Sequence, residues 1–169
     1  MTTYEYRPIP ADVADRLRER DDAGLTREPF TDDKGGAPLR CCLTRSVPGD
    51  VLVLVTYAPL RRWAAEHGAD PGAYDETGPV FLHARECGGP RHDGFPAEIA
   101  SSRRVYRGYD KRGHIVGGRL VSPAPGHAAD VAAAALDDLF ADPAVEVVHV
   151  RAVEFGCFHA EVRRPADTP

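Results

Sequence analysis

Reactive side chains gather near the carboxyl end of this chain. Ala144 to Arg164 reads AVEVVHVRAVEFGCFHAEVRR and holds His149, Arg151, Cys157, His159 and Glu161. The spacing predicts two strands joined by Glu154-Phe155-Gly156, with Gly156 taking the positive φ that a three-residue hairpin loop favours at its third place. That closure sets Val153 opposite Cys157, Arg151 opposite His159 and His149 opposite Glu161. Side chains alternate between faces along a strand. One face is then apolar, with Val148, Val150, Ala152, Phe158, Ala160 and Val162, and the other carries all five reactive residues. A slip of one place would mix the two sets, which favours this register. A thiol near imidazole can be held as thiolate and serve as nucleophile, redox group or metal ligand. Here Cys157 is the thiol and His149 the acid/base or hydrogen-bond donor, with Glu161 placed to orient it. The plainer alternative is packing, because a free cysteine behaves as a small hydrophobe.

Two other chemistries are open to the chain. Zn²⁺ takes Cys and His in tetrahedral sites, and Cys42, His83, Cys87, His149, Cys157 and His159 supply enough ligands if their strands are neighbours. His83 and Cys87 stand four apart across a strand end. No CxxC or HExxH spacing occurs, so no metal set is assigned and ordinary hydrogen-bonded histidines remain the alternative. Anion binding draws on Arg103, Arg107 and Tyr109, which share one face of a strand, with Arg40 as a further guanidinium; such groups clamp carboxylates and phosphates. The alternative is a solvated sheet face. Gly35-Gly36, Gly88-Gly89 and Gly117-Gly118 lack the spacing of a phosphate loop, and no GxSxG is present. No motif implies a cofactor.

The elements that must position these residues follow from composition and pattern. The chain has 169 residues, 43% apolar and 28% charged, with net charge -5. It is expected to form one domain over residues 1–164, with 165–169 a disordered tail. The acidic balance argues against a nucleic-acid binder, no apolar run reaches membrane-span length, and the start lacks a signal-peptide pattern. A cytoplasmic protein with reduced thiols is the expectation. Strands are predicted at Tyr4 to Ile9, Leu39 to Thr44, Val51 to Tyr57 and Pro79 to Arg85, with a hairpin formed by Arg103 to Tyr109 and His114 to Val121. In the second of these, Arg40 and Cys42 fall on one face and Cys41 and Leu43 on the other. Helices are predicted over Ala11 to Ala23, Pro59 to His67 and His127 to Phe140, the last with an apolar stripe of Val131, Ala135, Leu136, Leu139 and Phe140. Thr26 to Ala37 and Glu86 to Gly94 read as loops, and Pro96 to Ser101 as a helical turn. The sum is an α+β domain with a mainly antiparallel sheet of about seven or eight short strands and two main helices on one face.

The whole chain resembles the uncharacterised bacterial family called domain of unknown function 1203. The resemblance rests on Pro38-Leu39-Arg40 with Leu43, Pro48-Gly49-Asp50 and the apolar strand ending at Tyr57. It continues through Gly78 to His83, Arg107-Gly108-Tyr109-Asp110, Phe140-Ala141-Asp142-Pro143, and His149 with Gly156-Cys157-Phe158. Some family members place Cys where Leu39 stands and differ around Cys41 and Cys42. The resemblance implies the domain extent and no activity.

The leading functional reading is a pocket for a small anionic molecule on the open sheet face, lined by Arg40, His83, Arg107, Tyr109, His149 and Cys157. Its rival is a non-enzymatic domain that binds a partner or forms a homo-oligomer through exposed sheet. The third reading is a Cys/His metal protein.

Overall fold

The computed structural model describes residues 4–164. The tail read as disordered, 165–169, lies outside the described residues. Among the described residues, ten strands form two five-stranded sheets, which corrects the expectation of one sheet with about seven or eight. In chain order they are β1 (Tyr6–Arg7), β2 (Phe30–Asp32), β3 (Pro38–Leu39), β4 (Thr44–Arg45), β5 (Asp50–Tyr57), β6 (Gly78–His83), β7 (Arg104–Tyr109), β8 (Ile115–Val121), β9 (Val147–Ala152) and β10 (Phe158–Arg163). The first sheet runs β1-β10-β9-β7-β8 and the second β2-β5-β6-β3-β4. Pairing is antiparallel except where β3 meets β6 at Leu39 and Phe81. Strands of two or three residues leave little periodic signal, so β2 read as loop.

The helices also differ from the expected pair. The described residues hold four: α1 (Ala11–Glu19), α2 (Pro59–Glu66), α3 (Ala97–Ala100) and α4 (Ala128–Phe140). They do not share one face of one sheet. Ala132, Leu136, Leu139 and Phe140 of α4 join Tyr106, Val148, Val150, Ala160 and Val162 of the first sheet in one core. Val13, Ala14 and Leu17 of α1 join Val53, Val55, Val80 and Leu82 of the second sheet in another. The α4 stripe is rotated from the expected one: Ala128 and Ala132 are buried and Val131 is exposed. Pro59 opens α2, where a missing N–H costs nothing, and Leu60, Trp63 and Ala64 pack on Tyr109 and Val147 at the end of the first sheet.

The terminal hairpin forms with Gly156 at φ +68°. His149 pairs with Glu161 and Val148 with Val162, as the spacing predicts. Val150 pairs with Ala160 as expected too, but a bulge between Phe158 and Ala160 breaks the register on the loop side, so Phe158 pairs with Arg151 in place of Ala152. An extra residue on one strand shifts the face that its neighbours occupy. Phe158 therefore leaves the α4 core and joins the second sheet's core, its ring 5.3 Å from Tyr57 and 5.2 Å from His149. The face expected to be open is thus covered, and His149 is wholly buried.

Phe158 carries β10 into the core of the second sheet, so truncating it leaves a void in that core. Phe158→Ala is expected to cost about 3–5 kcal/mol, read as a lower urea midpoint at unchanged slope.

Candidate metal centre

The residues expected to form a strand from Leu39 to Thr44 instead form a tight turn between β3 and β4. The N–H of Leu43 donates to the carbonyl of Leu39 at 2.9 Å, and Leu43 takes φ +58°, the one left-handed non-glycine among the described residues. A β-carbon makes that conformation unfavourable by roughly 1–2 kcal/mol. Leu43 nonetheless buries its side chain in the first sheet's core, while Cys41 and Cys42 lie in the second's. In a strand the two cysteines would point to opposite faces. The turn brings both to His83.

His83 closes β6. Its N–H donates to Cys41 Sγ at 3.3 Å, and its Nδ1 lies 3.6 Å from Cys41 Sγ and 3.8 Å from Cys42 Sγ. Cys87, four residues on, completes a set whose ligand atoms all lie within 4.8 Å of one another. On the other side of the ring, Asp50 Oδ2 is 3.7 Å from Nε2. A tetrahedral zinc ion, with Zn–S about 2.3 Å and Zn–N about 2.0 Å, sets its ligand atoms roughly 3.5–3.8 Å apart. The two sulfur–nitrogen separations already match that edge. Metal-bound histidines commonly turn their other nitrogen toward a carboxylate, the place Asp50 holds. Cys41 and Cys42 are buried and Cys87 is exposed. The vicinal thiols polarise each other. Cys42 is held below the ordinary thiol range by its hydrogen bond with Cys41, with Thr44 adding to it, and Cys41 is pushed up by the same bond and by burial.

The other expected site residues fall in two further places. Arg107, Tyr109 and His149 share a face of the first sheet: Arg107 pairs with His149, and the Tyr109 ring is 4.9 Å from the imidazole. Arg107 and Arg151 both reach Glu76, at 2.9 and 3.1 Å. Glu161 Oε2 is 3.7 Å from His149 Nε2, beyond hydrogen-bond length, so both buried ring nitrogens lack a partner. Arg40, Cys157 and His159 line a separate cleft between the sheets. His83, His149 and Cys157 therefore do not converge on one cavity. Cys41 was missed because nothing in Arg40-Cys41-Cys42-Leu43 is a turn-forming residue; the adjacency of two cysteines was the one available signal.

Two packed sheets with a cluster of three thiols and an imidazole define an α+β protein with a group of side chains that could hold a metal ion. The chain belongs to the family described as Protein of unknown function (DUF1203), whose model matches residues 36–164, a span that contains the whole cluster. No curated protein and no solved structure matches the chain. Among the described residues no helix is long and apolar enough to cross a membrane.

Burial holds both His149 and His159 below the ordinary imidazole range. Arg151 and Arg107 add to the effect at His149 while Glu161 opposes it, and Arg40 and Arg104 help bring His159 down to about 3. Unfolding frees both rings to protonate, so the unfolded chain binds more protons and stability rises with pH. Their contribution is complete above about 6.5 and is lost as pH falls toward about 3. Urea midpoints measured from pH 7.5 down to pH 4, roughly the window below an ordinary imidazole pKa, should fall steadily. His159→Leu should flatten part of that slope.

Proposed function

We propose that this protein binds a zinc ion through Cys41, Cys42, His83 and Cys87. The carrying observation is the mutual approach of one imidazole and three sulfurs within 4.8 Å. Soft thiolates with imidazole select zinc over the hard cations that prefer oxygen. Four protein ligands leave no open coordination position, which is the pattern of structural zinc rather than of a site that activates water. The role that follows is mechanical. The ion would tie the strained turn after β3 to the end of β6 and to the loop that begins at Cys87. Gly88 and Gly89, both at φ +80°, give that loop little stiffness of its own. Asp50 would orient His83 and raise its basicity. The cytoplasmic location expected from the sequence would keep the thiols reduced and available.

Elemental analysis of untagged, reduced protein should find about one zinc per chain, because a site of this type binds one ion. Cobalt in its place should give thiolate-to-metal absorption and the intense visible bands of tetrahedral geometry. Cys87→Ser, at an exposed position that folding tolerates, should weaken affinity by about tenfold or more. Chelation should lower the unfolding free energy by the lost linkage, about 2.7 kcal/mol if the ion was present at 100 times its Kd, read as a lower unfolding midpoint. Metal-free protein that gives no tetrahedral cobalt spectrum would sink the reading. So would a Cys41–Cys42 disulfide that persists under reducing conditions.

A further inference from the structure

The cleft between the sheets has a volume of about 720 Å³, and none of the four thiol-cluster residues lines it. That size suits a small molecule. Its chemistry is unusual for a protein of net negative charge, because three guanidiniums meet there. Arg40 and Arg104 are only 2% and 5% exposed, and Arg45 stands at the rim. Their side chains donate to neutral carbonyls. Arg40 reaches Phe158 at 2.7 Å and also Pro38; Arg104 reaches Ile99 at 2.8 Å and Arg103 at 2.6 Å; Arg45 reaches Glu98 at 2.9 Å and Gly36 at 2.7 Å. None of the three side chains forms an ion pair with a carboxylate among the described residues. Glu154, the acid in the lining, lies 3.8 Å from Arg103, and the Glu98 carboxylate accepts the backbone N–H of Arg45 at 2.9 Å. Charge buried without a counter-charge is costly. A fourth polar group joins them: His159 is 3% exposed, lines the cleft, and has no hydrogen-bond partner for its buried Nδ1.

The rest of the cleft lining includes apolar Leu54, Phe81 and Phe155, and Phe155 is 85% exposed at the tip of the terminal hairpin. Cationic donors together with an apolar surface describe a molecule with a charged head and an uncharged body. We propose that this cleft binds a small organic anion, its carboxylate or phosphate held by Arg40, Arg104 and His159 and its apolar body laid on Leu54, Phe81 and Phe155. Guanidinium forks match planar and tetrahedral oxyanions alike. Arg45 at the rim steers the anion inward. Cys157, half-buried in the same lining, is a natural reporter of occupancy.

The test uses 2-naphthoate and 2-naphthyl phosphate, with neutral 2-naphthamide as the uncharged equivalent, each titrated calorimetrically into the full chain. In parallel, iodoacetamide alkylation is followed cysteine by cysteine by peptide mass spectrometry. At least one anion should bind about tenfold or more tightly than the amide, the difference that charge-assisted hydrogen bonds confer. Saturation should slow alkylation of Cys157 severalfold and leave Cys87 unchanged. Arg104→Met and Arg45→Met, each shown by circular dichroism to keep the fold, should each weaken the anion by about tenfold. Whichever anion binds better assigns the head group. Equal affinity for the amide, no protection of Cys157, or unchanged binding in both variants would overturn the proposal.

Discussion

The two sheets meet at Arg40. Its Nε donates to the carbonyl of Phe158 across a separation of 118 residues, at 2.7 Å and out of reach of solvent. Its backbone is engaged as well: its N–H donates to Phe81 in β6, and its carbonyl accepts from Ile9 just ahead of α1. One residue thus joins the first sheet, the second sheet and the amino-terminal segment. A hydrogen bond from a charged donor is stronger than a neutral one, and leaving its buried partner unmet is costly. Burial without a carboxylate also depresses the guanidinium, to about 10, with Arg104 and Arg45 adding to the effect and Cys157 opposing it. The bulge in β10 is part of the same arrangement. It turns Phe158 toward the second sheet, where its ring meets Tyr57 while its carbonyl meets Arg40.

The thiol cluster depends on a neighbouring constraint. Leu43 is held in a conformation that a side chain disfavours, and such strain persists where the surroundings over-determine it. Here they do. The Leu43 side chain is locked in one core while the two preceding cysteines are locked in the other. The strain and the sulfur positions are two aspects of one turn.

Much of the scaffold was legible because its signals are local. The long strands β5, β6, β7 and β9, the turn glycine at 156 and the α4 helix each announce themselves through periodicity or backbone need. The hairpin's far end was read in the right register because apolar alternation there leaves one choice, and it failed near the loop because a bulge adds no pattern of its own. Division into two sheets was not legible. It rests on pairings such as Tyr6 with Val162 and Leu39 with Phe81, made by strands of two residues. The candidate site suffered most. Period-two reasoning sent Cys41 and Cys42 to opposite faces, and only the left-handed Leu43 reunites them. His149 was read as accessible because it shares a face with charged residues, yet that face is pressed between Tyr109 and Phe158. Polarity of a face does not reveal what lies across from it.

Arg40 and Cys41 are joined by one peptide bond, with the guanidinium in the arginine-lined cleft and the sulfur beside His83. That peptide unit is planar and rigid, so a shift of its backbone would carry the anchor points of both side chains together.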